Sequence, residues 1–122
     1  MSITLVGRCH CGEVSFEVDF PNGIGPLNRC NCSICRKKGA VMTSVPLTDF
    51  RLVTGAEKLS LYQWNTQVAK HYFCRDCGIY THHRRRSAPD RYAINVGCLD
   101  IADEILGREI GMLNGAANSV VK

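Results

Sequence analysis

Seven of the eight cysteines in this 122-residue chain fall into three short clusters, and their spacing constrains the fold more than any other feature. The clusters read Cys9-His10-Cys11-Gly12, Cys30-Asn31-Cys32-Ser33-Ile34-Cys35 and Cys74-Arg75-Asp76-Cys77-Gly78, with Cys98 standing alone. Such a pattern is either a disulfide framework or a set of metal ligands. A disulfide scaffold with this many cysteines belongs to a shorter, exported chain. Here Met1 to His10 carry no apolar run that reads as a secretory signal, and no window approaches the roughly 18 apolar residues of a membrane helix. The expected location is the cytoplasm, where thiols stay reduced and clustered cysteines serve metal or redox chemistry.

Thiolates bind zinc at about 2.3 Å, and a tetrahedral site needs them to converge from tight turns. A Cys-x-x-Cys turn followed by glycine, as at Cys74 to Gly78, allows this because backbone amides reach the sulfurs and glycine relieves crowding. The Cys-x-Cys spacing of Cys9 and Cys11 needs an extended or bulged backbone to aim both sulfurs at one ion. Counting ligands divides the set. The pairs Cys9/Cys11 and Cys74/Cys77 together complete a closed, structural zinc site. The triplet Cys30/Cys32/Cys35 leaves one position open, as a catalytic zinc requires. Two zinc ions per chain are therefore expected, and the open one would lower the pKa of a bound thiol. The competing reading closes the triplet with Cys98 or a histidine and makes it a second structural site; a lone cysteine is otherwise a small buried hydrophobe.

The length suits one domain spanning 1–122, and no repeat, low-complexity tract or linker divides it. Strand signals dominate. Val14, Phe16, Val18 and Phe20 alternate with Ser15, Glu17 and Asp19, and Pro21-Asn22-Gly23 ends the run. Tyr92, Ile94 and Val96 alternate likewise, while 59–64 and 68–73 read as two further strands with a hairpin turn near Asn65-Thr66. Helical signals are short: Ser33 caps a turn or two over Ile34 to Lys38 before Gly39, and Asp100 to Leu106 offers another turn. The chain reads as mainly β, with small sheets and metal knuckles at their ends. The tail 111–122, rich in Gly, Ala and Asn, is expected to be loose.

The ordered clusters carry a resemblance. Gly7-x-Cys9-x-Cys11-Gly12, Cys30-x-Cys32-x-x-Cys35-Arg36-Lys37, Phe73-Cys74-x-x-Cys77-Gly78 and Asn95-Val96-Gly97-Cys98-Leu99-Asp100 resemble the glutathione-dependent formaldehyde-activating enzyme family, which also contains centromere protein V. The likeness covers residues 7–100, and its specificity lies in the ordered set rather than in any one cluster. It implies a zinc-bearing β-tent fold of small antiparallel sheets and the same division of ligands reached by counting. It also implies a carbon–sulfur lyase type of activity, joining formaldehyde to glutathione as S-hydroxymethylglutathione. The sequence departs from familiar members after Gly78, where Ile79-Tyr80-Thr81-His82-His83 follows, and in the segment 111–122.

Further residues suit roles around that chemistry. Arg36 and Lys37 follow the triplet, where positive charge would stabilise thiolates and attract an anionic substrate, while a basic exposed helix face explains them equally well. In the run His82-His83-Arg84-Arg85-Arg86, Arg84 is the candidate clamp for a carboxylate of glutathione, although a solvated loop or strand edge before the turn at Ala88-Pro89-Asp90 is the favoured reading of the run. His71 reads as a core histidine or a partner lying just outside the metal ligands, His10 as solvent-facing, and Asp100 as a cap for the turn after it. The net charge of +4 is mild. It allows an anionic substrate, while scattered aromatics disfavour nucleic acid. The favoured expectation is a zinc enzyme acting on a glutathione or other thiol adduct, with no membrane partner; a homo-oligomer is compatible with it. The alternative is a non-catalytic, zinc-stabilised module that binds nucleic acid or protein.

Overall fold

The computed structural model describes residues 2–64 and 67–118. Its first half forms β1 (Ile3–Arg8), β2 (Ser15–Phe20), β3 (Leu27–Cys30), α1 (Ser33–Lys38), β4 (Met42–Pro46) and β5 (Phe50–Thr54). The second half adds β6 (Leu59–Tyr62), β7 (Lys70–Cys74), β8 (Tyr80–Arg84), β9 (Arg91–Asn95), α2 (Ala102–Ile105) and β10 (Ile110–Leu113). The chain is mainly β, as its alternating runs predict. One sheet is antiparallel in the order β1-β2-β5; the other has the order β10-β3-β4-β9-β8-β7-β6. The predicted hairpin turn at Asn65-Thr66 lies outside the described residues.

The core lies between the sheets. Phe16 and Val18 of β2 are fully buried, as are Ile94 and Val96 around the end of β9 and Ile105 of α2. At about 1.5–3 kcal/mol for each large apolar side chain fully buried, this shared cluster holds the sheets face to face. Gly7 is needed here because a Cβ on it would overlap the Phe16 ring, so only glycine lets β1 cross that ring and carry Cys9 into place. No helix among the described residues is long and apolar enough to cross a membrane.

Four local expectations change. First, the start of the stretch expected to be loose is ordered: Ile110–Leu113 adds a parallel strand to the edge of β3, from Ile110 beside Leu27 to Leu113 beside Cys30. Asn31 fastens the chain on either side of Asn114. Its N–H donates to the Leu113 carbonyl at 3.1 Å, its side-chain amide donates to Asn114 Oδ1 at 3.0 Å, and its Oδ1 accepts from the Ala116 N–H at 2.8 Å. Second, His82 and His83 are no loop or sheet edge; β8 lies between β7 and β9 and both imidazoles are buried. Third, Cys32 rather than Ser33 occupies the N-cap position of α1. Gly39, at φ 65°, ends that helix as predicted. Fourth, Asp100 caps nothing: α2 begins beyond it, and its carboxylate pairs with Arg8 at 3.1 Å on the surface.

Candidate functional site

Cys9 follows β1 and Cys74 ends β7, so the first thiol group joins one sheet to the other. Cys11 and Cys77 come from the turns beyond. Each turn closes with a glycine in the left-handed region, Gly12 at φ 82° and Gly78 at φ 76°, whose N–H groups donate to the carbonyls of Cys9 and Cys74 at 3.2 and 2.7 Å. The Sγ atoms of Cys9, Cys11, Cys74 and Cys77 all lie within 4.8 Å of one another. Cys9 and Cys11 sulfurs are 3.6 Å apart, and Cys11 and Cys74 sulfurs 3.7 Å. Four thiolates held tetrahedrally at zinc's bond length would be separated by about 3.8 Å. The spacing therefore fits one tetrahedral metal ion. The Val14 N–H also donates to Cys9 Sγ at 3.4 Å, as an amide does to a sulfur that carries charge.

The second group sits on one local segment. Cys30 ends β3, Cys32 precedes α1 and Cys35 lies inside it, and their Sγ atoms also lie within 4.8 Å of one another. This group could hold a metal ion as well, with three protein ligands. No fourth ligand joins it among the described residues. Cys98 belongs to neither group; its thiol points to the Tyr80 carbonyl at 3.5 Å, and burial pushes its pKa up to about 12. His10 is exposed, as expected.

What distinguishes the triplet is space. Cys30, Cys32 and Cys35 line a cavity of about 430 Å³, whose walls include Ile34, Met42, Trp64, His71, His83 and Arg85. No acidic residue lines it among the described residues. The segment after β10 forms one wall, and it comes so close that a Cβ on Gly115 would overlap Cys30 Sγ and sit 3.1 Å from Cys32 Cβ. The rings of His71 and His83, also part of the lining, stack at 4.8 Å. Burial, with Lys38 adding to it, pushes their pKa values down to about 4 and about 2, so both are neutral near pH 7. His83 Nδ1 is 2.7 Å from the Tyr80 hydroxyl, and His71 Nδ1 is 2.8 Å from Lys38 Nζ. With the ammonium donating there, the His71 proton resides on Nε2.

The sequence pattern described as "Glutathione-dependent formaldehyde-activating enzyme" matches residues 4–109, which is most of the chain. The chain belongs to that family. A crystal structure of a Rhodobacter sphaeroides protein superimposes with a TM-score of 0.82 at 48% identity, covering 88% of this chain and 98% of that one. A Halomonas elongata protein named as a glutathione-dependent formaldehyde-activating enzyme is 41% identical over 81 residues, 60% of this chain and 51% of that protein. A Podospora anserina protein of the same name is 21% identical over 101 residues, 80% of this chain and 47% of its own. The chain thus spans about half the length of these curated relatives. The match to the glutathione-dependent formaldehyde-activating family stops at Glu109, so the wall built by Leu113 to Gly115 lies beyond it.

Within this family member, the basic residues singled out from sequence lie away from the thiol cavity. Arg36 and Lys37 are exposed on the outer side of α1, and Lys37 instead borders an adjoining aromatic groove of about 550 Å³. Arg84 turns to the Pro89 carbonyl, to which its Nε donates. Its neighbour Arg85 lines the cavity, with Nη1 donating to Ser44 Oγ at 3.2 Å. Strand periodicity explains the shift: side chains alternate faces, so Arg85 shares its side with His83, and Arg84 shares the other with His82. Sequence reasoning also missed Lys38. On a helix the residue three beyond Cys35 shares its face, so Lys38, not Arg36 or Lys37, turns inward.

Proposed function

We propose that this protein is a zinc-dependent enzyme that joins an aldehyde such as formaldehyde to glutathione or a related thiol, and splits the adduct in reverse. The observation that carries the reading is that the three-thiol group opens on a cavity while the four-thiol group does not line it. On this reading Cys9, Cys11, Cys74 and Cys77 hold a structural zinc, and Cys30, Cys32 and Cys35 hold the catalytic one. A zinc bound to the triplet supplies a Lewis acid that keeps a substrate thiol deprotonated near neutral pH.

The chain's own residues then select and orient the substrate. Arg85 offers a guanidinium to a carboxylate, and glutathione carries two. Ile34, Met42 and Trp64 exclude water from the reacting end. His71 and His83, neutral and mutually stacked, present ring edges that exchange hydrogen bonds without adding charge. In the forward direction the carbon–sulfur bond forms at the carbonyl carbon, the carbonyl π pair moves to oxygen, and that oxygen takes the proton given up by the thiol. The product is S-hydroxymethylglutathione, and the reverse is a carbon–sulfur lyase reaction.

Replacing Cys32 with Ser tests this. Bound zinc is expected to fall from two ions per chain to one, folding to persist, and exchange between glutathione and ¹³C-formaldehyde, followed by NMR, to return to the uncatalysed rate. Loss of both ions with collapse of the fold would refute the division of labour. Unchanged exchange would refute the catalytic assignment.

A further inference from the structure

Lys38 is an ammonium largely removed from water, yet no carboxylate pairs with it among the described residues. Such a charge is costly unless something of opposite sign faces it. Two neutral groups fix its position: His71 Nδ1 accepts its proton at 2.8 Å, and the face of the Tyr80 ring lies 3.5 Å away, measured to the centroid. The triplet lies beside it: Cys35 is three residues earlier on the same face of α1, and Tyr80, whose ring Lys38 covers, packs in one cluster with Cys35, Cys30 and Cys32. Lys38 lines the aromatic groove beside the thiol cavity rather than the cavity itself, so any effect on a ligand there passes through its field.

Charge arithmetic gives that field a purpose. A divalent ion with three thiolates carries one net negative charge, and a fourth anionic sulfur would make two inside a half-enclosed cavity. One fixed ammonium neutralises the three-thiolate centre and returns the four-thiolate centre to a single negative charge. We propose that Lys38, held between His71 and Tyr80, is the built-in counter-charge of the Cys30/Cys32/Cys35 centre and selects a thiolate over a neutral donor as its fourth ligand. Lys38 is thus a positioning residue. The inference rests on the triplet binding a divalent metal, as proposed above, and goes beyond it by assigning the ligand preference to one side chain outside the metal-binding set.

The test loads the folded protein with Cd²⁺, whose sulfur charge-transfer absorbance reports each thiolate bound. Binding of 2-mercaptoethanol, which has no carboxylate, is compared with binding of imidazole. Wild type should bind the thiol as thiolate. In K38M its affinity should fall on the order of 10- to 100-fold, as expected for losing a unit charge from a partly buried neighbourhood, while imidazole affinity changes by less than about threefold. K38R should recover most of the thiol affinity. If K38M fails to retain Cd²⁺ in the four-thiol group, K38Q, which keeps a donor for His71 without the charge, serves in its place. Equal loss for both ligands would make Lys38 merely structural and overturn the proposal, as would no loss for either. If wild type binds no Cd²⁺ at the triplet, the zinc-enzyme reading falls and this inference with it; normal wild-type binding with an indifferent Lys38 sinks the inference alone.

Discussion

Gly115→Ala should loosen the wall of the thiol cavity without unfolding the protein. A methyl group at this position would overlap Cys30 Sγ and crowd Cys32 Cβ, so either the sulfur or the strap must move. Overpacking of this kind costs about 1–3 kcal/mol if both stay in place. The strap beyond Leu113 is held chiefly by the two Asn31 side-chain bonds, to Asn114 and to the Ala116 N–H. At about 0.5–1.5 kcal/mol each, these sum to about the same amount. Peeling the strap is then the easier response, because moving Cys30 would also disturb β3 and the start of α1. With about 1–2 kcal/mol transferred to the open form, metal at the triplet should be released roughly 10-fold faster, since 1.4 kcal/mol is a factor of ten. Release of zinc to a coloured chelator should show two phases, and G115A should accelerate only the faster one. The melting temperature should change little, because the core between the sheets is untouched. A variant with wild-type release, or with both phases accelerated equally, would refute the view that this strap walls the triplet alone.

Arg85→Gln should raise KM for glutathione about 10-fold or more with kcat little changed, whereas Arg84→Gln should leave both alone; a charged hydrogen bond to a carboxylate accounts for about 1.5–3 kcal/mol. Steady-state assays with glutathione and with a thiol lacking carboxylates separate the two arginines, and equal effects on both thiols would count against a carboxylate contact. His82 sits between Phe50, Tyr72 and Tyr92, and burial pushes its pKa down to about 3. Because this folded pKa lies below the unfolded value of about 6.5, the unfolded chain takes up more protons, and the stability His82 confers above pH 6.5 is lost as pH falls toward 3. H82F should remove that share: its stability loss between pH 7 and pH 5, from denaturant unfolding, should be smaller than wild type's by about 2 kcal/mol, and an identical loss would contradict a buried neutral imidazole.

The cysteine groups were legible because ligand spacing is a local property that a sequence displays directly. The strand over Ser15–Phe20 and the helix end at Gly39 were legible for the same reason. Two kinds of feature were not. His82 and His83 looked polar and hence peripheral, but β8 is a central strand, and central strands show no alternation when both faces are covered. β10 escaped notice because its parallel pairing with β3 joins residues far apart in sequence, and Gly111 and Met112 carry little strand signal. Arg36 and Lys37 were chosen by nearness to the cysteines, whereas the backbone period decides the face: three residues along α1 for Lys38, and two residues on from His83, just past the end of β8, for Arg85.

On the proposed reading, the placement of the two thiol groups also separates stability from turnover. Cys9 and Cys74 are 65 residues apart, one just after β1 and the other at the end of β7 in the other sheet, so a metal there would close a long loop and fasten the two layers. Cys30 to Cys35 occupy six consecutive residues at the junction of β3 and α1, so emptying or refilling that group disturbs one turn. A centre that must exchange a ligand in every cycle is best placed where its fluctuations are local. The same logic explains why the cavity wall comes from a strap fastened by two side-chain hydrogen bonds rather than from the core. It is firm enough to shape the cavity and weak enough to open without cost to the four-thiol group.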